Sequence, residues 1–188
     1  MSIRKDQIRV QAQVLFRERG YAATSMRDIA ESLGIEAASL YNHIHSKEQI
    51  LQEICFRMAE QFFAGIEPVV KASIPPIEKL REAIEAHLKV IAAHNDASAV
   101  FLHEWRHLGE PFLSDFKLMR RRYEKIFRTL IEEGIASGDF RKVNVPLTVR
   151  TLLSAMNWTY ESYDSKRKID AKEVAVDIGT MMLNGILK

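Results

Sequence analysis

The chain has 188 residues, 47% hydrophobic and 28% charged, with a formal net charge of +2. That length supports one sizeable core, or a small head joined to a larger body. The near-neutral balance excludes bulk charge as the basis of a nucleic-acid or membrane reading. A single cysteine, Cys55, excludes both an intrachain disulfide and a cysteine-rich zinc knuckle. The opening MSIRKDQIRV lacks the apolar core of a signal peptide, and no apolar run approaches the roughly 18 residues of a membrane span. A soluble, cytoplasmic protein with no membrane partner is expected.

Strand-like alternation is scarce and helical spacing recurs from end to end, so the expected fold class is all-α, with about nine helices. Ile8, Ala12, Leu15 and Phe16 make the first stripe, stopped at Gly20. Ser25 with Asp28 gives a capping-box-like start to a short second helix that carries Ile29, Ala30 and Leu33 and ends at Gly34. Residues 36 to 44 predict a third short helix held by Leu40 and Ile44. Ser46 with Gln49 then caps a long fourth one carrying Ile50, Ile54, Met58 and Phe62.

Pro68, Pro75 and Pro76 mark a linker near 65 to 76. Leu80, Ile84, Leu88 and Ile91 follow at helical spacing up to an Asn95-Asp96 turn, and a helix containing residues 103 to 107 comes next. Phe116, Met119, Tyr123, Phe127 and Leu130 describe a long helix closed near Gly138, and Pro146 opens another through Leu152 and Met156. Asp170 and Glu173 cap the last, with Val174, Ile178, Met181, Met182 and Ile186 along it. Loops are expected at 138 to 145 and 164 to 170. The division is a head over 1–48 and a body over 49–188.

Residues 103 to 107 read HEWRH, which fits the zinc signature H-E-x-x-H, with a glutamate between two histidines one helical turn apart. A zinc-dependent metallopeptidase is therefore the alternative to weigh. A third ligand is missing from the extended form of the motif, because Gly109 falls one position early and Leu113 stands where the last histidine belongs. At about 100° per residue Glu104 falls in the apolar arc of Val100, Phe101, Trp105 and Leu108. There an acid needs a partner, either a cation or hydroxyl from a neighbouring helix or a polar group of a ligand. Neither a Ser/His/Asp constellation nor a phosphate-cradling glycine loop offers a better enzyme. No catalytic residue, metal or cofactor is expected.

Two short helices joined by about four residues, the second following a glycine, can lay a recognition helix in the major groove. The same spacing fits a plain helical hairpin. The run TSMRDIAESLGIEAASLYNHIHSKEQI, residues 24 to 50, resembles the DNA-binding head of the TetR family of bacterial regulators. Phe16 and Gly20 stand in its F-x-x-x-G, followed by Thr24, Ile29-Ala30, Leu33-Gly34-Ile35, Leu40-Tyr41 and Lys47-Glu48.

The resemblance implies a sequence-specific DNA-binding regulator, a repressor of a palindromic operator. Thr24 or Ser25 would cap the second helix at a phosphate, with Arg27 one turn in. Ala37, Ala38, Ser39, Asn42 and His43 would face the bases, Asn42 toward an adenine edge, and Tyr41 and Lys47 would meet phosphates. The chain departs from the family at Glu36, Ala38 and Ile44, and Glu36 brings negative charge to a DNA-facing helix end.

By the same resemblance the body forms a homodimer and binds a small effector. Leu152, Met156, Val174, Ile178, Met181 and Met182 are the expected dimer contacts, in a four-helix interface. Phe62, Phe101, Glu104, Trp105, Tyr123, Phe127, Asn157 and Trp158 are the expected pocket residues. The stretches F101-L-H-E-W-R-H-L and M156-N-W-T, with Arg120 to Arg122 between them, are similar to members that sense acyl-CoA thioesters. The expected effector is a small apolar molecule or an acyl-CoA, with arginines for its phosphates.

Overall fold

A computed structural model describes residues 3–161 and 171–186. Among them the elements are helical: α1 Ile3–Arg19, α2 Met26–Ser32, α3 Ala37–Tyr41, α4 Lys47–Lys71, α5 Pro76–Ala93, α6 Asn95–His103, α7 Phe112–Ser137, α8 Val145–Trp158 and α9 Ala171–Asn184. The expected loop at 164 to 170, and Asp170 as a cap, lie outside the described residues.

Packing divides the chain into two units that are each assembled from separate stretches. One joins the residues up to Ala59 with Asp96–Leu118, and the other joins Glu60–Asn95 with the residues from Met119 on. In the first unit the stripe Ile8, Ala12, Leu15 and Phe16 is buried, as are Ile29, Ala30, Leu40, Ile44, Ile50, Leu51 and Ile54. These are the positions that the 3.6-residue period assigns to the inner faces.

In the second unit α5 packs on α9 and α8. Leu80, Ile84 and Leu88 of α5 share a core with Phe127, Leu130 and Ile131 of α7 and with Val149, Leu152 and Met156 of α8. Leu152 and Met156, expected at a dimer contact, are therefore inside the protomer, and Val174, Ile178 and Met182 lean half-buried on the same core. Of the six only Met181 stands out, 76% exposed, and the other large apolar side chains exposed on α8 and α9 are Leu147, Trp158 and Val176. The sequence pattern marks one apolar face per helix but cannot say whether the protomer or a partner covers it.

Three boundaries differ from expectation. α4 runs through Pro68 to Lys71. The hydrogen bond that this proline cannot make would have gone to the carbonyl of Ala64, and both residues are exposed, so water can serve it. α3 is shorter than 36 to 44, ending at Tyr41 with Asn42 as its C-cap. Finally, α6 ends inside HEWRH, and Glu104–His107 form a tighter 3-10 turn.

Candidate nucleic-acid interface and the polar centre of the body

The α2–α3 pair is fixed by local chemistry at each end. Ser25 caps α2 in a reciprocal box: its hydroxyl accepts the Asp28 N–H at 3.2 Å, and Asp28 Oδ2 accepts the Ser25 N–H at 2.7 Å. The Ser25 hydrogen bonds hold the Asp28 carboxyl below its usual range. Gly34, at φ +63°, ends α2 in the left-handed region, with Ile35 N–H donating to Ala30 O and Gly34 N–H to Glu31 O. This pair of hydrogen bonds at a helix end reverses the chain in two residues and needs glycine at the turn.

α3 and the three residues after it then present two faces. Leu40 and Ile44 are buried, whereas Ala38, Tyr41 and Asn42 are exposed and Ala37, Ser39 and His43 are half-buried at the edge. Arg27 is exposed on α2. Two expected contacts turn out to be engaged inward. Thr24 is 1% exposed and donates its hydroxyl to Gly20 O at 2.9 Å, so it closes the α1–α2 turn and offers no side chain to a ligand. Lys47 Nζ donates to Tyr21 O at 2.7 Å and Thr24 O at 2.8 Å and lies 4.2 Å from the centre of the Tyr21 ring. A cation over a ring face that also ties two carbonyls is a brace for that turn. Spacing could not foretell this, since both residues sit where an outward role is equally compatible with the pattern.

The break in HEWRH removes the geometry that the zinc motif needs. His103 closes α6 and His107 closes the 3-10 turn, so the two no longer stand one α-helical turn apart on one helix. Glu104, whose partner the sequence left open, lies 3.5 Å from His107 Nε2. His107 in turn stacks on Tyr21, with ring centres 5.1 Å apart. Burial, then the Glu48 carboxylate, raises the Tyr21 pKa above its ordinary value. Glu48 accepts the Gly109 N–H at 2.9 Å. Within the first unit, then, Tyr21 is held from one side by the first turn of α4 and from the other by the segment after α6.

The expected pocket residues separate into two groups. Phe101 and Trp105 pack on Phe116, with ring centres 5.3 and 5.9 Å away, inside the first unit together with Glu104. Phe62, Tyr123, Phe127 and Asn157 belong to the second, where Phe62 and Phe127 are buried. Trp158 is 61% exposed.

What gathers the second group is His87, a residue that the sequence reading left aside. His87 is buried, stacks on Phe62 at 4.7 Å, and lies 3.1 Å from both the Tyr123 hydroxyl and Asn157 Oδ1. Because the amide oxygen only accepts, Nε2 carries the proton and Nδ1 accepts from the Tyr123 O–H. Burial pushes the His87 pKa down to about 4, against the opposing hydrogen bond to Asn157, and pushes the Tyr123 phenol up. The centre is neutral, and both ring nitrogens of His87 are paired. A signal for it was present: His87 interrupts the stripe of Ile84, Leu88 and Ile91, and a polar residue there must be buried.

Two family models match the chain. "Bacterial regulatory proteins, tetR family" covers residues 8–54, and "Tetracyclin repressor-like, C-terminal domain" covers residues 73–186. The chain is 28% identical to the HTH-type transcriptional repressor KstR2 of Mycolicibacterium smegmatis, over 97% of this chain and 90% of that one. The solved ketosteroid transcriptional regulator KstR2 of Mycobacterium tuberculosis superposes with a TM-score of 0.93 at 27% identity, covering 100% of this chain and 97% of the other. The TetR regulator PfmR of Thermus thermophilus does so with a TM-score of 0.84 at 32% identity, covering 94% and 97%. With a matched head, a matched C-terminal domain and relatives that align along nearly their whole length, the chain belongs to the TetR family of bacterial regulatory proteins.

Proposed function

We propose that this chain is a transcriptional repressor that binds a palindromic operator as a homodimer and releases it when a small apolar or acyl-CoA effector occupies the body. One observation carries the DNA half of the reading. The glycine-reversed α2–α3 pair turns Leu40 and Ile44 inward and leaves Ala38, Tyr41 and Asn42 outward, which is the division of labour that a recognition helix requires. Arg27 on α2 supplies the adjacent phosphate contact. KstR2, similar along its length, is a repressor.

The outer faces of α8 and α9 support dimerisation. Leu147 and Trp158, 61% exposed each, and Met181, 76% exposed, are a large apolar outlay for a lone protomer. Two heads roughly 34 Å apart would then address successive major grooves on one side of the duplex. Leu147→Glu with Met181→Glu is expected to yield monomers by light scattering and to weaken operator binding. A dimer that persists in this variant would remove these faces from the interface.

Footprinting on DNA upstream of the protein's own gene tests the function, and absence of sequence-preferring binding at moderate salt sinks it. Asn42→Ala should cost about tenfold in affinity, the value of one good base contact. Arg27→Ala should lower the slope of log affinity against log salt by about one, as loss of a phosphate contact does. Lys47→Met should weaken binding with that slope unchanged, because its ammonium braces the turn.

A further inference from the structure

Two grooves run together along α4 and α7 of the second unit. The first, about 460 Å³, is walled by Phe63, Ala64, Ile66 and Val70 of α4 and by Met119 and Ile126 of α7. The second, about 260 Å³, shares Val70 and Ile126 with it and continues to Thr129 and Leu130. On each helix the lining residues recur at intervals of three and four, so each contributes one wall. From Met119 to Leu130 the α7 wall is roughly 16 Å long.

The continuation differs from the rest in charge. Lys79, Arg122 and Lys125 line it against one carboxylate, Glu133, which stands 4.0 Å from Lys79 Nζ. Neither Arg122 nor Lys125 is held by a carboxylate among the described residues. In the apolar stretch Glu67 is engaged by Lys71 at 2.6 Å, and Glu60 lies at the opposite end of the α4 wall. A wholly apolar occupant would leave this cationic end unanswered, whereas an anion without a tail would leave the apolar wall wet.

We propose that the trough binds an amphipathic anion, its apolar chain along Phe63, Ile66, Met119 and Ile126 and its carboxylate or phosphate head among Lys79, Arg122 and Lys125. The consequence for the operator rests on the effector reading above; the binding itself rests on the trough. Calorimetry on the full chain with decanoate, decanol, decanoyl-CoA and free CoA separates the possibilities. Decanoate or decanoyl-CoA should bind, and which of them binds more tightly identifies the source of the head. Decanol should be weaker by about tenfold or more. Arg122→Glu with Lys125→Glu should weaken the anion by a similar factor and leave decanol unchanged, and Ala64→Trp should block both. Unchanged thermal unfolding of the variants shows that they are folded.

Equal binding of decanol and decanoate would overturn the proposal. So would failure of both anions to bind, wild-type affinity in the variants, or CoA binding as tightly as its thioester. If decanoate binds through these residues while the operator complex persists, the trough stands and the effector reading falls. If an effector releases the charge-reversed protein from DNA as readily as the wild type, and the anions bind neither form, the trough falls alone.

Discussion

Acidification from neutral pH to pH 4 will cost the folded protein about 3 kcal/mol through His87 alone. The folded imidazole stays neutral down to about 4, whereas in the unfolded chain it takes a proton near 6.5. Its stabilising contribution is complete above the unfolded value and is lost as pH falls through this window, because only the unfolded chain binds the proton. Urea unfolding of the wild type and of His87→Gln, compared at neutral pH and at pH 4, isolates the effect from the other histidines. The stability difference should shift by about 3 kcal/mol in favour of the variant at the lower pH. Parallel pH profiles would show that the ring is hydrated. At neutral pH His87→Ala should itself cost about 3–5 kcal/mol, since it removes the buried ring stacked on Phe62 and takes the His87 hydrogen bonds from the Tyr123 hydroxyl and Asn157.

Gly134→Ala should destabilise the second unit by about 2 kcal/mol or more, although alanine favours a helix more than glycine does. Gly134 lies inside α7, and a Cβ there would overlap the Phe140 ring at Cδ2 and Cε2. The ring has nowhere to go: Phe140 is 1% exposed, and its N–H donates to Gly134 O at 2.9 Å. Gly138→Ala serves as the contrast, because a Cβ on Gly138 meets nothing and only its φ of +85° is strained, for about 1–2 kcal/mol. Pairing Gly134→Ala with Phe140→Leu should cost less than the sum of the two. Strict additivity would mean that ring and Cα do not meet.

The contrast between these two glycines shows what was legible in the sequence. Gly138 was readable as a helix end, because a left-handed turn after an amphipathic run is a local event. The partner of Gly134 arrives only when the chain folds back at Phe140. The same boundary divides the rest. Local chemistry gave the helices, the Ser25 box, the Gly34 reversal and the inward Leu40 and Ile44, and through them the family resemblance. Thr24 and Lys47 occupy positions where an inward role fits the spacing as well as a phosphate contact does, and here their hydroxyl and ammonium go to carbonyls of the preceding turn. Phe101 and Trp105 were grouped with Phe62 and Tyr123 because hydrophobic pattern assigns an aromatic to an inside without saying which. His87 was legible as a defect in its stripe and was passed over.

One consequence of the interleaved first unit concerns its birth rather than its binding. The residues that resemble a DNA-binding head end near Glu48, yet Phe56 meets Phe112 and Phe116, Tyr21 meets His107, Glu48 meets Gly109, and Arg17 meets Asp96 at 2.5 Å. Residues 60 to 95, which belong to the other unit, separate the two stretches. During synthesis the head therefore cannot finish folding when its own motif leaves the ribosome. It waits for the segment up to Leu118, and the intervening chain must be closed as a loop, an entropic cost that slows completion. A nascent chain arrested before Asp96 carries every residue of the recognition motif and the Lys47 brace, but lacks the contacts of Arg17, Tyr21, Glu48 and Phe56 with the later segment.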